Sequence, residues 1–138
     1  MSDNALDAKP PRVVFACLHN AGRSQMAAAL FNRYARGRAW ADSAGTRPAA
    51  RVHPEVVEVM RELGIDLEGS KPQLLTTELA AGAVRVITMG CADECPVVSA
   101  PLEDWGLPDP AGQPLEAVRG IRDDIDHRVR ELLSSLKI

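Results

Sequence analysis

The sequence predicts an α/β fold: three layers, with a central parallel sheet of four strands between helices on both faces. Three observations predict it. Short apolar runs alternate with stretches of helical periodicity, the pattern of strand–helix–strand units. Those runs are β-branched and brief, as buried strands are. The first of them leads through a glycine-containing loop straight into a helix. In open parallel sheets, sites lie beyond the carboxyl ends of the strands, and Cys17 and Cys91 both follow predicted strands there.

The elements follow in order. Residues 1–11 are polar, end in Pro10-Pro11 and are expected to form a flexible leader ahead of one domain over 12–138. Arg12–Ala16 reads as the first strand. From Ser24 to Tyr34 the chain is rich in helix formers, with Met26, Leu30, Arg33 and Tyr34 on one face and Gly37 as a stop. Ala39–Ala44 reads as the second strand, leading into the turn Gly45-Thr46-Arg47-Pro48. His53-Pro54-Glu55 opens a helix in which Val56, Val59, Met60 and Leu63 repeat at helical spacing, and Gly64 ends it. A short helix is expected within 71–82. Val84–Met89 is the clearest later strand, and Val97–Leu102 is expected to hold the fourth. A long helix starts at about Leu115, with Val118, Ile121, Ile125, Val129, Leu132, Leu133 and Leu136 as its apolar stripe. Arg119, Arg122, Arg128 and Arg130 are expected on its solvated face.

Composition narrows the function. At 138 residues the chain can bury a core without staples. Its net charge of −3 argues against a nucleic-acid surface, which needs a basic face, and its 4% aromatics are too few for base stacking. An anionic substrate must therefore be drawn by a local feature. The leader lacks the apolar stretch of a secretory signal, and no run approaches the roughly 18 residues of a membrane span. Three cysteines do not suggest a secreted disulfide framework. In a reducing cytoplasm, cysteines serve catalysis, redox chemistry or metal binding. A cytoplasmic monomer with no nucleic-acid or membrane partner is expected.

Cys17-Leu18-His19-Asn20-Ala21-Gly22-Arg23-Ser24 lies between the first predicted strand and the first helix. A loop so placed aims several backbone N–H groups at one spot at the positive end of a helix, and such a spot binds tetrahedral oxyanions. Leu18 to Ser24 are the candidate binding residues, with Cys17 at the floor and Arg23 at the rim. A helix N-terminus and a neighbouring cation both favour a thiolate. Arg23 offers a planar fork that grips two oxygens and keeps its charge. Gly22 permits close backbone approach, and Asn20 tolerates unusual dihedrals. Ser24 can donate to the thiolate and cap the helix. The bland alternative is a structural cysteine with a surface arginine downstream. The strand before, glycine within, serine after and helix following all argue against it. His19 is read as a positioning or surface residue, and His53 and His127 as ordinary exposed helix residues.

The run Phe15-Ala16-Cys17 through Gln25-Met26-Ala27 resembles the arsenate reductases built on the low-molecular-weight tyrosine phosphatase fold. The similarity continues at Asp42-Ser43-Ala44-Gly45, at Ile87-Thr88-Met89-Gly90-Cys91 through Cys95-Pro96, and from Trp105 through Asp109-Pro110-Ala111-Gly112. It covers nearly everything after residue 11. Two departures separate the chain from the phosphatase branch. Gly22 stands where those members usually carry a second cysteine, and Ala111 stands where they follow Asp-Pro with a tyrosine.

The resemblance implies arsenate reduction for arsenic detoxification, with phosphate or sulfate as competing oxyanions and no tightly bound cofactor. Turning As(V) into As(III) takes two electrons, which a pair of thiols supplies on forming a disulfide. The implied relay runs from Cys17 to Cys91 to Cys95, and thioredoxin reduces the final Cys91–Cys95 disulfide. Best-known thioredoxin-coupled members separate the last two cysteines by more residues than the three found here. Cysteines four apart on an intact helix are poorly oriented for an unstrained bridge. Gly90 and Pro96 suggest a segment that can unwind, and strained, exposed disulfides are readily reduced. Other readings of Cys91 and Cys95 stay open: half of a zinc site, inert thiols, or a route in which mycothiol attacks the arsenic adduct instead.

Expulsion of an arsenate oxygen calls for a general acid. Asp109, between Pro108 and Pro110, matches the family's Asp-Pro loop, with Asp104 as runner-up and a helix N-cap as the structural alternative. Burial or the nearby thiolate is expected to keep it protonated. No metal is expected. Some relatives hold potassium beside the loop, and Asn20, Ser43 and Asp66 match three of the positions used, while the glutamate position falls at Ala28. The rival readings are a phosphatase, for which Cys17, Arg23 and Asp109 suffice, and a thiol-based arsenite-binding or redox-sensing module, which has no need of Arg23.

Overall fold

Strand β1 (Arg12–Cys17) is buried from Val13 onward and forms an interior strand of the sheet. The computed structural model describes residues 10–89 and 101–136. Along β1 the side chains alternate between two cores, as a strand covered on both faces requires. Val13, Phe15 and Cys17 face the larger cluster, and Val14 and Ala16 the smaller. The other strands are β2 (Trp40–Gly45), β3 (Arg85–Thr88) and β4 (Leu102–Asp104), in the order β2-β1-β3-β4. All pairings are parallel. The predicted fold class is what the structure has.

The helices are α1 (Arg23–Ala35), α2 (Pro54–Arg61), the single turn α3 (Thr77–Ala80) and α4 (Leu115–Leu136). α1 and α2 both pack against α4 over the larger core. Phe15 anchors that core between Phe31, edge-on at 6.0 Å between ring centroids, and Trp105 at 5.6 Å. α3 contributes Ala80 to the smaller core on the opposite face, with Leu75 and Ala83 beside it. Its N-cap is Thr76, whose hydroxyl accepts from the Leu79 N–H at 3.0 Å. The predicted stripe on α4 is buried at Val118, Ile121, Ile125, Val129 and Leu132, with Leu133 and Leu136 packed at its margin.

Three expectations need correction. The fourth strand is Leu102–Asp104 rather than a run ending at Leu102, and residues 97–100 lie outside the described residues. All three of its residues are exposed, because β4 is an edge strand and its carboxylates discourage edge-to-edge pairing. Arg122 is not on the solvated face of α4. It is buried, donating from Nη1 to Val59 O and to Glu62 Oε1, each at 2.8 Å, at the C-terminal end of α2. His53 is half-buried at the N-cap of α2 rather than an exposed helix residue.

Candidate active site

The site begins where β1 ends. Residues 18–22 carry the chain from Cys17 into α1, and Asn20 takes the left-handed region at φ 50°, a conformation asparagine tolerates. Every carbonyl from Cys17 to Gly22 is engaged away from the sulfur. Cys17 O accepts from Thr46 N at 3.3 Å, Leu18 O from Arg47 N at 2.8 Å, His19 O from Ala49 N at 2.9 Å and Ala21 O from His53 N at 2.9 Å. Asn20 O accepts from Gln25 Nε2 at 3.1 Å, and Gly22 O from Met26 N at 3.0 Å. Since peptide units are planar, carbonyls turned outward leave N–H groups to face the hollow of the loop. The Asn20 N–H lies 3.2 Å from Cys17 Sγ.

A buried polar chain fixes the sulfur. Ser24 Oγ is 2.8 Å from Cys17 Sγ, and Asn20 Nδ2 donates to Ser24 Oγ at 2.8 Å. Asn20 Oδ1 accepts from Gln73 N at 2.9 Å and from Gln25 Nε2 at 3.3 Å. Asn20 and Ser24 are fully buried, so this network is satisfied within the protein. Ser24 faces the sulfur and does not cap the helix; Gly22 is the N-cap and has no side chain to bond.

Arg23 is 8% exposed and spans the hollow. Its Nη1 donates to Leu107 O at 2.9 Å, and its Nη2 lies 4.0 Å from Asp109 Oδ2. Its buried Nε has no hydrogen-bond partner among the described residues. Asp109 Oδ1 accepts from Ala111 N at 3.0 Å, an Asx-type turn. The Asp109 side chain is half exposed, so the burial expected around it is not present in this arrangement. Asp104, the alternative acid, accepts from Thr88 Oγ1 at 2.7 Å and joins β3 to β4.

Thus Cys17, Asn20, Gly22, Arg23, Ser24 and Asp109 come together from two segments far apart in sequence. Leu18 and His19 are half-buried and Ala21 is buried in the same loop. Cys91 and Cys95 lie outside the described residues. Four contributors were not singled out from sequence: the 46–53 segment that turns the carbonyls outward, Gln25, Gln73 and Leu107 O. A signal existed for the first in the Gly45-Thr46-Arg47-Pro48 turn; a backbone carbonyl such as Leu107 O leaves none.

The potassium positions do not fit a cation. Gln73 donates from its backbone to Asn20 Oδ1 and from Nε2 to Ser43 O at 2.8 Å, so amide donors already use these oxygens. Asp66 is exposed and accepts from Glu68 N at 2.9 Å, and Ala28 has no ligating atom. Among the described residues, no group of three or more His, Cys, Asp or Glu side chains could hold a metal. No described helix is long and apolar enough to cross a membrane.

Residues 12–138 match the family model for low molecular weight phosphotyrosine protein phosphatase. The chain belongs to this family. Among its curated relatives, a Halobacterium salinarum protein named "Putative arsenate reductase" is 45% identical over 124 residues, covering 86% of this chain and 87% of that protein. The glutaredoxin arsenate reductase of Synechocystis sp. is 34% identical, covering 91% of this chain and 98% of that protein. Among solved structures, a thioredoxin-dependent arsenate reductase from Corynebacterium glutamicum superposes with a TM-score of 0.82 at 37% identity. That match covers 99% of this chain and 66% of the other. The resemblance to arsenate reductases of this fold, stated from the sequence, is borne out by these matches. An arginine phosphatase from Geobacillus stearothermophilus shares the fold at a TM-score of 0.77 and 26% identity, covering 93% of this chain and 94% of that one.

Proposed function

We propose that this family member is an arsenate reductase. The observation that carries the reading is the oxyanion hollow itself: outward carbonyls, a buried sulfur held by Ser24 and the Asn20 N–H, and an Arg23 Nε without a partner among the described residues. Arsenate supplies the acceptors that this donor set lacks. The Cys17 thiolate attacks arsenic, an As–S bond forms, and one As–O bond breaks. Asp109 gives its proton to the departing oxygen, which leaves as water. Arg23 and the loop amides hold the remaining oxygens as charge builds on them.

In the second step a thiolate attacks Cys17 Sγ. The S–As bond breaks, its electron pair stays with arsenic, and As(V) leaves as arsenite while a disulfide forms. We assign that attack to Cys91, with Cys95 then attacking Cys91 Sγ to free Cys17. Thioredoxin supplies the two electrons that reduce the final disulfide. The thioredoxin-dependent relative supports this donor, and the glutaredoxin-named relative supports a glutaredoxin-type donor instead. The alternative donor is mycothiol, attacking the adduct directly. Either route belongs in a reducing cytoplasm.

Arsenate-dependent NADPH oxidation with thioredoxin and its reductase tests the assignment. Cys17→Ser, Cys91→Ser and Cys95→Ser each stop steady-state turnover. A Cys95→Ser variant that remains fully active with thioredoxin removes the three-cysteine relay, and turnover only with mycothiol and a glutaredoxin-like protein moves the donor. The second reading, phosphate ester hydrolysis, is favoured by the complete Cys17, Arg23 and Asp109 set. Rapid hydrolysis of an aryl phosphate without arsenate turnover would establish it instead.

A further inference from the structure

Gly22 has φ −144° and ψ −93°, neither extended nor left-handed, so its glycine identity is not explained by a positive φ. Space explains it. A Cβ built on Gly22 would lie 2.7 Å from Pro110 Cγ, 3.5 Å from Pro110 Cδ and 3.5 Å from His53 Cδ2. The first distance is far inside van der Waals contact, and the atom it meets belongs to a closed ring rather than to the end of a flexible chain. Pro110 is buried here, although its neighbours Asp109 and Ala111 are exposed.

The next residue holds the same segment from its other end, since Arg23 Nη1 bonds Leu107 O at 2.9 Å. Asp109 lies between these two attachments. Among the described residues its side chain accepts one hydrogen bond, from Ala111 N within the segment, and forms a long ion pair, 4.0 Å, with Arg23 Nη2. Nothing else among the described residues fixes the carboxyl over the hollow. Its position therefore depends on where residues 107 and 110 are held.

We propose that Gly22 is a positioning residue: its bare Cα, flanked by His53, is the seat for Pro110, and this seat with the Arg23–Leu107 bond aims Asp109 at the leaving oxygen. The proposal rests on the reading of Asp109 as the proton donor. It gives Gly22 a role that a cysteine at that position cannot fill without moving Pro110. A second thiol beside Arg23 and a seated acid loop are alternatives in this chain.

The test measures kcat with arsenate, the inhibition constant of inorganic phosphate, and a crystal structure of Gly22→Ala. Displacement of an acid by about 1 Å costs on the order of 10²-fold in rate. Gly22→Ala is expected to lower kcat by about 10- to 100-fold while the phosphate constant moves less than about threefold. In the Asp109→Asn background the same change alters kcat by less than about twofold, because its effect runs through Asp109. A full additional loss in the double variant overturns the proposal, as does unchanged kcat in the single one. Pro110→Ala trims the ring without touching the oxyanion loop. It is expected to show a smaller loss with the same non-additivity, so it decides the question if Gly22→Ala does not fold. If the unaltered protein reduces no arsenate, the functional reading fails separately. The seat is then read in either variant's structure: residues 107–110 displaced support it, and residues 107–110 in place refute it.

Discussion

Ser24 and Asn20 hold the nucleophile through bonds that leave no slack. Ser24 Oγ meets Cys17 Sγ and accepts from Asn20 Nδ2, and Asn20 Oδ1 takes the Gln73 and Gln25 N–H groups. Asn20→Ala strips a fully buried bridge and leaves alanine in the left-handed region. Those two costs, about 1–3 kcal/mol for stranded polar groups and about 1–2 for the backbone, predict a loss of roughly 2–5 kcal/mol by urea unfolding. Ser24→Ala keeps the backbone and lowers kcat by about tenfold, the worth of its hydrogen bond to Cys17 Sγ, and, because it strands the buried Asn20 Nδ2, costs about 1–3 kcal/mol in the same urea assay. Gly45 is sterically closed: a Cβ there would meet Leu18 O at 2.7 Å and Asn20 N at 2.8 Å, both backbone atoms. Gly45→Ala is therefore expected to push the loop from its bonds to residues 46–53 and to cost about 1–3 kcal/mol, read in the same unfolding assay. The residue types of the loop were legible because each has a chemical use at a fixed spacing. Gln25, Gln73 and Leu107 were not, because a glutamine or a carbonyl reveals its partner only when the chain brings distant segments together.

At the level of elements, the long helix does two jobs with two faces. Its apolar stripe covers α1 and α2, and that 3.6-residue repeat made it readable in advance. Arg122 breaks the pattern by turning inward to Val59 O in the last turn of α2, where a cation is favoured by the helix dipole. No periodicity distinguishes such an arginine from its solvated neighbours, so the sequence misassigned it. β4 escaped the pattern for the opposite reason, since two of its three paired residues, Glu103 and Asp104, are charged and the apolar signal ends at Leu102. Glu62 joins the two helices, bonded by Arg119 and Arg122. The hydrogen bond from Arg119 first, then that from Arg122, holds its carboxyl below the usual glutamate range. A carboxyl lowered on folding stabilises the protein above its unfolded pKa, about 4.3, and the contribution is lost as pH falls through the lower folded value. Glu62→Gln is thus expected to lower the melting temperature at pH 7, with the gap to the unaltered protein closing below about pH 4. A gap that persists at pH 3 would assign the effect to packing instead of charge.

For the whole molecule, the site is a junction rather than a single loop. Residues 17–24 supply the hollow, residues 45–53 and 73 brace it from the β2 side, and residues 107–110 close it from beyond β4. None of these segments holds its geometry alone, so an oxyanion in the hollow binds the folded chain and not the unfolded one. Such a ligand adds RT ln(1 + [L]/Kd) to stability, about 2.7 kcal/mol at a hundredfold excess over Kd. For a domain of this size that corresponds to a rise of about 8–10 °C in melting temperature. Phosphate should therefore raise the melting temperature of the intact protein, and chloride at equal ionic strength should not. Arg23→Lys loses the fork and the tether to Leu107 O, so most of that rise should disappear. Asp109→Asn should keep it, because a group that delivers a proton contributes to the transition state rather than to ground-state binding. Equal loss in both variants would mean that Asp109 holds the oxyanion itself. In that case proton delivery has to come from another group on the same rim.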